Sequence, residues 1–271
     1  MCLPTPESPK KAPRCFHDVY EIERKLGSGA FASVHAVRRR SAGEGERSSA
    51  LAVKVVSLCE QGFGGEVNQR HCRQVWKEVE MLQKVQGTMH VIEVSECCLE
   101  GGLAYIVMER GDASFLQTVE AALVVTEVVL ARFFREMLQG LSALHDMGIV
   151  HRDVKPANFL CFGPGATVKL CDFGLATTLP RDGATGICGT PPYMAPEMLR
   201  HMRYDGRVDV WSLGVMVYVF LLGEYPYMPA ECSSSAMKAA IAEGKRAPSF
   251  EPRRRLQERG LRGPSSAAAA F

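Results

Sequence analysis

The sequence has almost no charge imbalance: 32 lysines and arginines stand against 30 aspartates and glutamates, a formal net charge of +2. That balance leaves no electrostatic footprint for nucleic acid, and the runs Arg38-Arg39-Arg40 and Arg253-Arg254-Arg255 are local. Long apolar runs are missing too. The longest, 210–222, is interrupted by Trp211, Ser212 and Gly214. It falls short of the ~18 to 20 residues that a membrane span needs and reads as a buried core helix. The N-terminus MCLPTPESPKKAPRC lacks the apolar segment of a secretory leader, and Cys2 stands where a myristoylation signal requires glycine. Ten cysteines are present, but with no CxxC pair and no His/Cys spacing suited to zinc. They read as reduced thiols, which points to the cytoplasm or nucleus. With 271 residues, 46% hydrophobic and 23% charged, the chain can bury the core of one large domain or two small ones.

What is present concentrates in residues 149–174, IVHRDVKPANFLCFGPGATVKLCDFG. A polar loop from His151 to Asn158 lies between Ile149-Val150 and the apolar run 159–162. Gly163-Pro164-Gly165 is a turn signal, 167–171 is a second β-prone run, and Asp172-Phe173-Gly174 closes the stretch. Two carboxylates, a lysine and an amide are thereby delivered from the ends of short strands, a rigid support for loop-borne groups. The set suits phosphoryl transfer. One carboxylate can orient a hydroxyl, while an amide and a second carboxylate can hold Mg²⁺ as hard oxygen ligands.

Upstream, a β-prone run over 20–26 leads into GSGAFASV (27–34), and glycines between two strands permit a hairpin whose amides approach phosphate closely. Alone, this pattern equally fits an ordinary hairpin. It is followed by LAVKVV (51–56), where Lys54 inside an apolar strand is costly without a charged partner. A helix is expected from about residue 69, with Val75, Val79, Leu82 and Val85 on one face and Gly87 as its stop. Glu78 and Glu80 on that helix are the candidate partners of Lys54. Residues 91–99 and 103–108 read as a hairpin around Glu100-Gly101-Gly102. Residues 126–147 form the clearest amphipathic helix. Its stripe is Val129, Leu130, Phe133, Met137, Leu138, Leu141 and Leu144, with Thr126 as cap and Gly148 as stop.

HRDVKPAN followed about twenty residues later by DFG closely resembles the catalytic loop and metal-binding motif of protein kinases. CGTPPYMAPE (188–197) is similar to the end of their activation segment. The resemblance covers about residues 20–250 and implies an α+β, bilobal kinase fold. A mainly antiparallel β lobe would span 19–108 and a mostly helical lobe 109–250, with ATP between them. A disordered segment 1–18 would precede the domain and an atypical, disordered tail 251–271 would follow it.

Residue by residue, the resemblance makes Asp153 the group that takes the acceptor hydroxyl's proton and Lys155 the neutraliser of charge on the phosphoryl group. Lys155 also marks the Ser/Thr class, and Thr190 is expected to bond both. Asn158 and Asp172 would bind Mg²⁺. Lys54 would pair with a helical glutamate, and the alignment of KEVEML favours Glu78. The nucleotide would meet Leu26, Gly27, Ser28, Gly29, Ala30, Val34, Ala52 and Lys54. Met108 would stand beside the adenine, Glu109 and Arg110 would present hinge backbone groups, Leu160 would close the pocket, and Asp112 would meet the ribose. His151 and Phe173 would be packing members of the core, and Asp209 would bond the backbone around His151-Arg152.

Departures from the family pattern are equally specific. Ala32 replaces its third glycine. Gly186 occupies the customary place of a phosphorylated Thr or Ser, so Arg152 lacks the usual phosphate partner unless Thr185 or Thr178 supplies one. No clear arginine faces Glu197, which would cost ~3 to 5 kcal/mol if that site were buried. The pattern after 250 suggests a chain shortened at its C-terminus, without the lobe's last helices.

These residues imply an ATP-dependent serine/threonine protein kinase acting on protein hydroxyls, with an upstream kinase or a calcium-linked regulator as partner. The alternative is a shortened kinase-like product, an ATP-binding pseudokinase, decoy or scaffold. A P-loop NTPase is a poor fit, since no GxxxxGK[ST] occurs.

Overall fold

β1 (Tyr20–Ser28), β2 (Ala32–Arg39), β3 (Leu51–Ser57), β4 (Val94–Glu100) and β5 (Leu103–Glu109) pair into one antiparallel sheet, in the order β1-β2-β3-β5-β4. The computed structural model describes residues 15–29, 32–40, 50–59, 67–122, 125–231, 233–244 and 247–250. They divide into two units, Met1–Val75 with Val94–Arg110 and Trp76–Glu93 with Gly111–Phe271. The first unit is the sheet. Its β-branched and aromatic strands pack as such residues do on a pleated, half-buried surface. Val53, Tyr105, Val107, Val37 and Leu51 form its core with Phe16 and Tyr20.

Phe16 belongs to a one-turn helix, α1 (Phe16–Val19). Its ring stacks on Tyr105 at 4.2 Å and 9° and on Tyr20 at 5.3 Å. The disorder expected up to residue 18 is therefore corrected over 16–18: a fully buried aromatic closes the open face of the sheet. Residues 1–14 and the tail 251–271 lie outside the described residues, as do Ala30, Phe31 and most of the two loops at 41–49 and 60–66.

The helix expected from residue 69 is α2 (Gln69–Lys84). Val75, Val79, Leu82 and Val85 are buried as the spacing required, and Met81 joins them. The unit boundary falls inside this helix, so the lobe division expected at 108/109 is corrected on two counts. The crossing lies at Arg110/Gly111, and 76–93 belong with the helical unit. The second correction has a local cause. Ile92 N–H donates to Leu170 O (2.9 Å), Leu170 N–H donates to His90 O (2.8 Å), and the His90 ring bonds Val168 O at 2.8 Å. Residues that had read as the start of a hairpin strand are thus paired to a strand of the other unit.

That second unit is built on α4 (Glu127–Asp146). Thr126 Oγ1 accepts the Val129 N–H as its cap, and the chain turns at Gly148. The buried stripe is Leu130, Phe133, Phe134, Met137, Gly140, Leu141 and Leu144; Val129 and Leu138, assigned to it from spacing, are exposed. Ahead of α4 lie β6 (Ala113–Ser114) and α3 (Phe115–Ala121), which Ser114 and Gln117 close with a reciprocal capping box. β8 (Phe159–Phe162) and β9 (Thr167–Leu170) pair across the 163–166 turn and carry β6 at the edge, while β7 (Ile149–Val150) pairs with β10 (Thr177–Thr178). α5 (Pro196–Leu199), α6 (Arg207–Leu222) and α7 (Ser234–Glu243) follow. α6 is the apolar run of the sequence. Nine of its residues are buried while Val210 and Leu221 are exposed, and no helix of the described residues is long and apolar enough to cross a membrane.

Replacing Phe16 by Ala removes a fully buried ring from the sheet's core. The expected cost is ~3–5 kcal/mol of unfolding free energy, read by chemical denaturation. A change near zero would show that the α1 turn does not close the sheet.

Candidate functional site

Both ends of the polar loop are held by strands. β7 delivers His151, and a short 3-10 turn over Pro156–Asn158 feeds β8. Between them four polar side chains converge. Thr190 Oγ1 donates to Asp153 Oδ1 at 2.7 Å and accepts from Lys155 Nζ at 2.9 Å. Lys155 Nζ also lies 2.8 Å from Asp153 Oδ2. Asn158 Nδ2 donates to Asp153 O (2.8 Å) and to Asp153 Oδ2 (3.2 Å). Asp153 thus carries a carboxylate held on both oxygens by charged or polar donors, a geometry that fixes its direction. The expected bonds of Thr190 to Asp153 and Lys155 are present.

The loop itself hangs from one buried carboxylate. Asp209, in the first turn of α6 and fully buried, accepts from His151 N at Oδ2 and from Arg152 N at Oδ1, both at 2.8 Å. His145 Nε2 donates to the same Oδ2 at 2.9 Å. This is the backbone contact expected of Asp209; the His145 contact carried no sequence signal, since it joins the end of α4 to the start of α6. His151 is also buried. It donates Nε2–H to Cys171 O (3.1 Å), accepts Asp153 N–H at Nδ1 (3.3 Å), and meets Phe173 edge-on at 5.1 Å. The imidazole therefore ties the carboxylate loop to the Asp172-Phe173-Gly174 turn.

Arg152 and Asp172 both hold positive φ, 69° and 61°, a left-handed backbone that side chains adopt at a cost. Gly189 stands at φ 103°, and a Cβ there would lie 2.5 Å from Arg152 O. Only glycine lets the segment carrying Thr190 come so near the loop. Gly111 has a similar part at the start of the helical unit. A Cβ on it would meet Leu160 Cβ at 2.9 Å, so Leu160 packs directly against its backbone. Neither glycine stood out in the sequence.

The donor set fits a hard divalent cation. Asn158 turns its amide nitrogen onto Asp153, which by the geometry of the amide directs Oδ1 away from it. Cys171 N–H donates to Asn158 O (2.8 Å), which places Asp172 next to Asn158. The Asp172 carboxylate is exposed at a strained position, and hard oxygens of this kind suit Mg²⁺ completed by substrate oxygens. Among the described residues no cluster of three His, Cys, Asp or Glu side chains forms a metal cage of its own. Glu78 is buried, with its carboxylate close to Gly174: a Cβ there would lie 3.6 Å from Glu78 Oε2 and 3.4 Å from Asp172 Oδ1. Glu80 instead faces outward and pairs with Lys84 at 2.8 Å.

In the sheet unit, Leu26, Gly27, Ser28 and Gly29 lie exposed on the β1–β2 hairpin, where Gly29 N–H donates to Ala32 O (2.8 Å). Register places Val34 opposite Lys54 and Ala52 opposite Met108, with Lys54 half-buried opposite Ile106. Two expectations change. The Arg110 amide, expected to face a nucleotide, donates to Ala50 O at 2.8 Å, because the β3–β5 ladder runs one residue further than its apolar run. Asp112, expected at a ribose, accepts the Gly163 N–H at 2.7 Å; its short side chain caps the β8–β9 turn. Glu197 is only partly buried, and its charge is felt by the exposed Arg207, whose guanidinium pKa Asp205 chiefly and Glu197 in part push up. The burial cost expected for Glu197 thus does not apply in full.

An antiparallel five-stranded sheet, a helical unit and an Asp–Lys–Asn loop locked to a threonine together define a phosphoryl-transfer domain of the protein kinase class. The sequence profile of the protein kinase domain matches residues 20–261, and the chain belongs to that family. It is 37% identical over 229 residues to CBL-interacting protein kinase 4 of Oryza sativa subsp. japonica, covering 81% of this chain and 48% of the relative. It is 31% identical over 239 residues to CBL-interacting serine/threonine-protein kinase 7 of Arabidopsis thaliana, covering 83% and 52%. It is 32% identical over 216 residues to a death-associated protein kinase of Caenorhabditis elegans, covering 79% and 15%. The chain spans about half the length of the two plant relatives.

Asp209→Ala leaves two buried amides and His145 without their acceptor. It should lower stability by about 3 kcal/mol or more, read by denaturation. Asp209→Asn, which keeps one acceptor oxygen, should cost less, and an equal loss in both would show that the amide bonds do not matter.

Proposed function

We propose that this chain is the catalytic domain of an ATP-dependent protein serine/threonine kinase. The observation that carries the reading is the closed set Asp153–Lys155–Asn158–Thr190, with every bond made inside one unit. In the proposed step the acceptor hydroxyl lies against Asp153, whose free lone pairs take its proton as the oxygen–phosphorus bond forms and the bond to the ADP oxygen breaks. Lys155 lies 2.8 Å from the same carboxylate and offers its charge to the phosphoryl oxygens as negative charge builds there. Thr190 holds both and so sets where a serine or threonine hydroxyl must arrive. Asn158 and Asp172 would hold Mg²⁺, which when bound supplies neutralisation of phosphate charge.

The remaining assignments belong to the same proposal. In the sheet unit Lys54, half-buried in β3, is assigned to the nucleotide phosphates, and in the helical unit Glu78, the buried glutamate of α2, is assigned to the catalytic set. The hairpin residues Leu26, Gly27, Ser28 and Gly29 are assigned to cover the phosphates; Ala30, assigned with them, lies outside the described residues. Val34, Ala52, Met108 and Glu109 of the sheet unit are assigned to the adenine, and so, in the helical unit, is Leu160. A site of this kind works by positioning and charge neutralisation rather than by covalent chemistry. Protein hydroxyls are the substrate. A calcium-linked regulator or upstream kinase is proposed as partner on likeness to the relatives alone. The cysteine pattern of the sequence, ten cysteines with no CxxC pair, supports a reducing compartment, cytoplasm or nucleus.

The test is transfer of labelled phosphate from ATP·Mg²⁺ to a generic basic-protein substrate. Asp153→Asn should lower kcat by roughly a hundredfold or more with KM for ATP little changed. Equal rates in wild type and Asp153→Asn would refute the catalytic reading and leave the ATP-binding alternative. Lys54→Met should abolish turnover while leaving the melting temperature close to wild type, because the side chain sits at the edge of the core rather than in it.

A further inference from the structure

Arg152, itself at positive φ, sits between His151 and the proton-accepting Asp153, and its guanidinium has an unusual set of neighbours. Nε donates to Leu175 O at 2.8 Å and Nη1 to the Tyr204 hydroxyl at 3.2 Å. Both acceptors are neutral, and among the described residues no carboxylate forms an ion pair with it. A charge of its own sign is felt nearby: Lys77 of α2 has its pKa lowered by burial and then by Arg152. A buried or half-buried guanidinium in such a place calls for an anion, and here a phenol stands instead.

Tyr204 is tied into the 174–197 segment at three further points. Its backbone forms an antiparallel bridge with Ala184, with Ala184 N–H to Tyr204 O at 2.8 Å and Tyr204 N–H to Ala184 O at 3.0 Å. Its one hydroxyl proton is shared between Thr185 O (3.0 Å) and Gly186 O (2.9 Å), while the oxygen accepts from Arg152. Its ring is buried in a cluster with Val150, Ala184, Ala195, Met198 and Val208. Gly186 itself has φ 97° and no side chain, so this position can present only its carbonyl. Three residues on, Gly189 presses on Arg152 O and delivers Thr190 to Asp153. A continuous chain of contacts therefore runs from the phenol through the 185–189 backbone to the catalytic carboxylate.

We propose that the Tyr204 hydroxyl is a positioning group that holds the activation segment in its working conformation without a phosphate. It bridges the Arg152 guanidinium to the Thr185 and Gly186 carbonyls. The proposal rests on the kinase reading above and adds how the segment is held. Burial, the larger influence, raises the Tyr204 pKa against the opposing pull of Arg152. The phenol thus stays protonated near neutral pH and keeps its donor for the carbonyls.

Two experiments on the full chain test it. The protein is first treated with a phosphatase, with removal checked by mass spectrometry; turnover should be unchanged. A large loss, restored by rephosphorylation at Thr185 or Thr178, would overturn the proposal. Tyr204→Phe keeps the ring in its cluster and deletes only the hydroxyl. It should lower kcat roughly tenfold with KM for ATP unchanged. Amide exchange over 184–189 should quicken while the melting temperature holds, a pattern that general damage to the fold would not give. Wild-type turnover and exchange in Tyr204→Phe would overturn the proposal. If the variant folds poorly, the phosphatase experiment decides alone. The exchange measurement needs no turnover, so failure of the kinase reading, seen as wild type equal to Asp153→Asn, stays distinguishable from failure of this one.

Discussion

A single buried carboxylate sets the geometry of everything around it. Asp209 receives the amides of His151 and Arg152 and the ring of His145. Without it, two consecutive backbone donors would be buried with no partner, at a cost in the range of 1–3 kcal/mol each. With it, Arg152 is held at positive φ, and the next residue, Asp153, leaves the strand aimed at Thr190 and Lys155. A left-handed residue beside a reacting group persists only where its surroundings over-determine it, and here α6, α4 and β7 all converge on one turn.

From that anchor the site spreads in two directions. One leads through His151 to Cys171 and Phe173 and so to Asp172, the acidic group suited to a cation. The other leads through Arg152 to Tyr204 and the 185–189 backbone, and returns at Thr190 to the carboxylate where it began. The loop is therefore closed on itself by hydrogen bonds, several of them to charged groups, and one ion pair, all within a single unit. Such closure is what phosphoryl transfer asks of a protein, since little covalent chemistry is required and misplacement by an ångström is expensive in rate.

The sheet unit shows the opposite balance. Its strands are ordered by β-branched side chains and by the aromatic stack of Phe16, Tyr20 and Tyr105. Ladder register alone puts Lys54, Ala52 and Met108 at defined places along adjacent strands. The alternation that placed them was readable from the residues, because a strand's side chains obey a period of two whatever surrounds them. The capping of α4 by Thr126 was readable for a similar reason: cap and turn chemistry is local.

What the amino-acid sequence by itself determined is therefore the inventory and its order: the β run with its lysine, the amphipathic helices, the HRDVKPAN and DFG stretches, and the membership of the protein kinase family. Only the tertiary structure decided which partners those groups take. Spacing on α4 could not tell Val129 and Leu138, which face solvent, from Phe134 and Gly140, which do not, because the width of a buried stripe depends on what packs over it. It could not place 88–92 against β9, seat Phe16 under the sheet, or give Asp112 the turn at Gly163. Nor could it bring His145 and Tyr204 to Asp209 and Arg152, contacts that span 64 and 52 residues. Long-range hydrogen bonds leave no periodic trace, since their energy is realised only when distant elements have already packed. The core of the phosphoryl-transfer site is written in a short motif, and its rigidity is written in none.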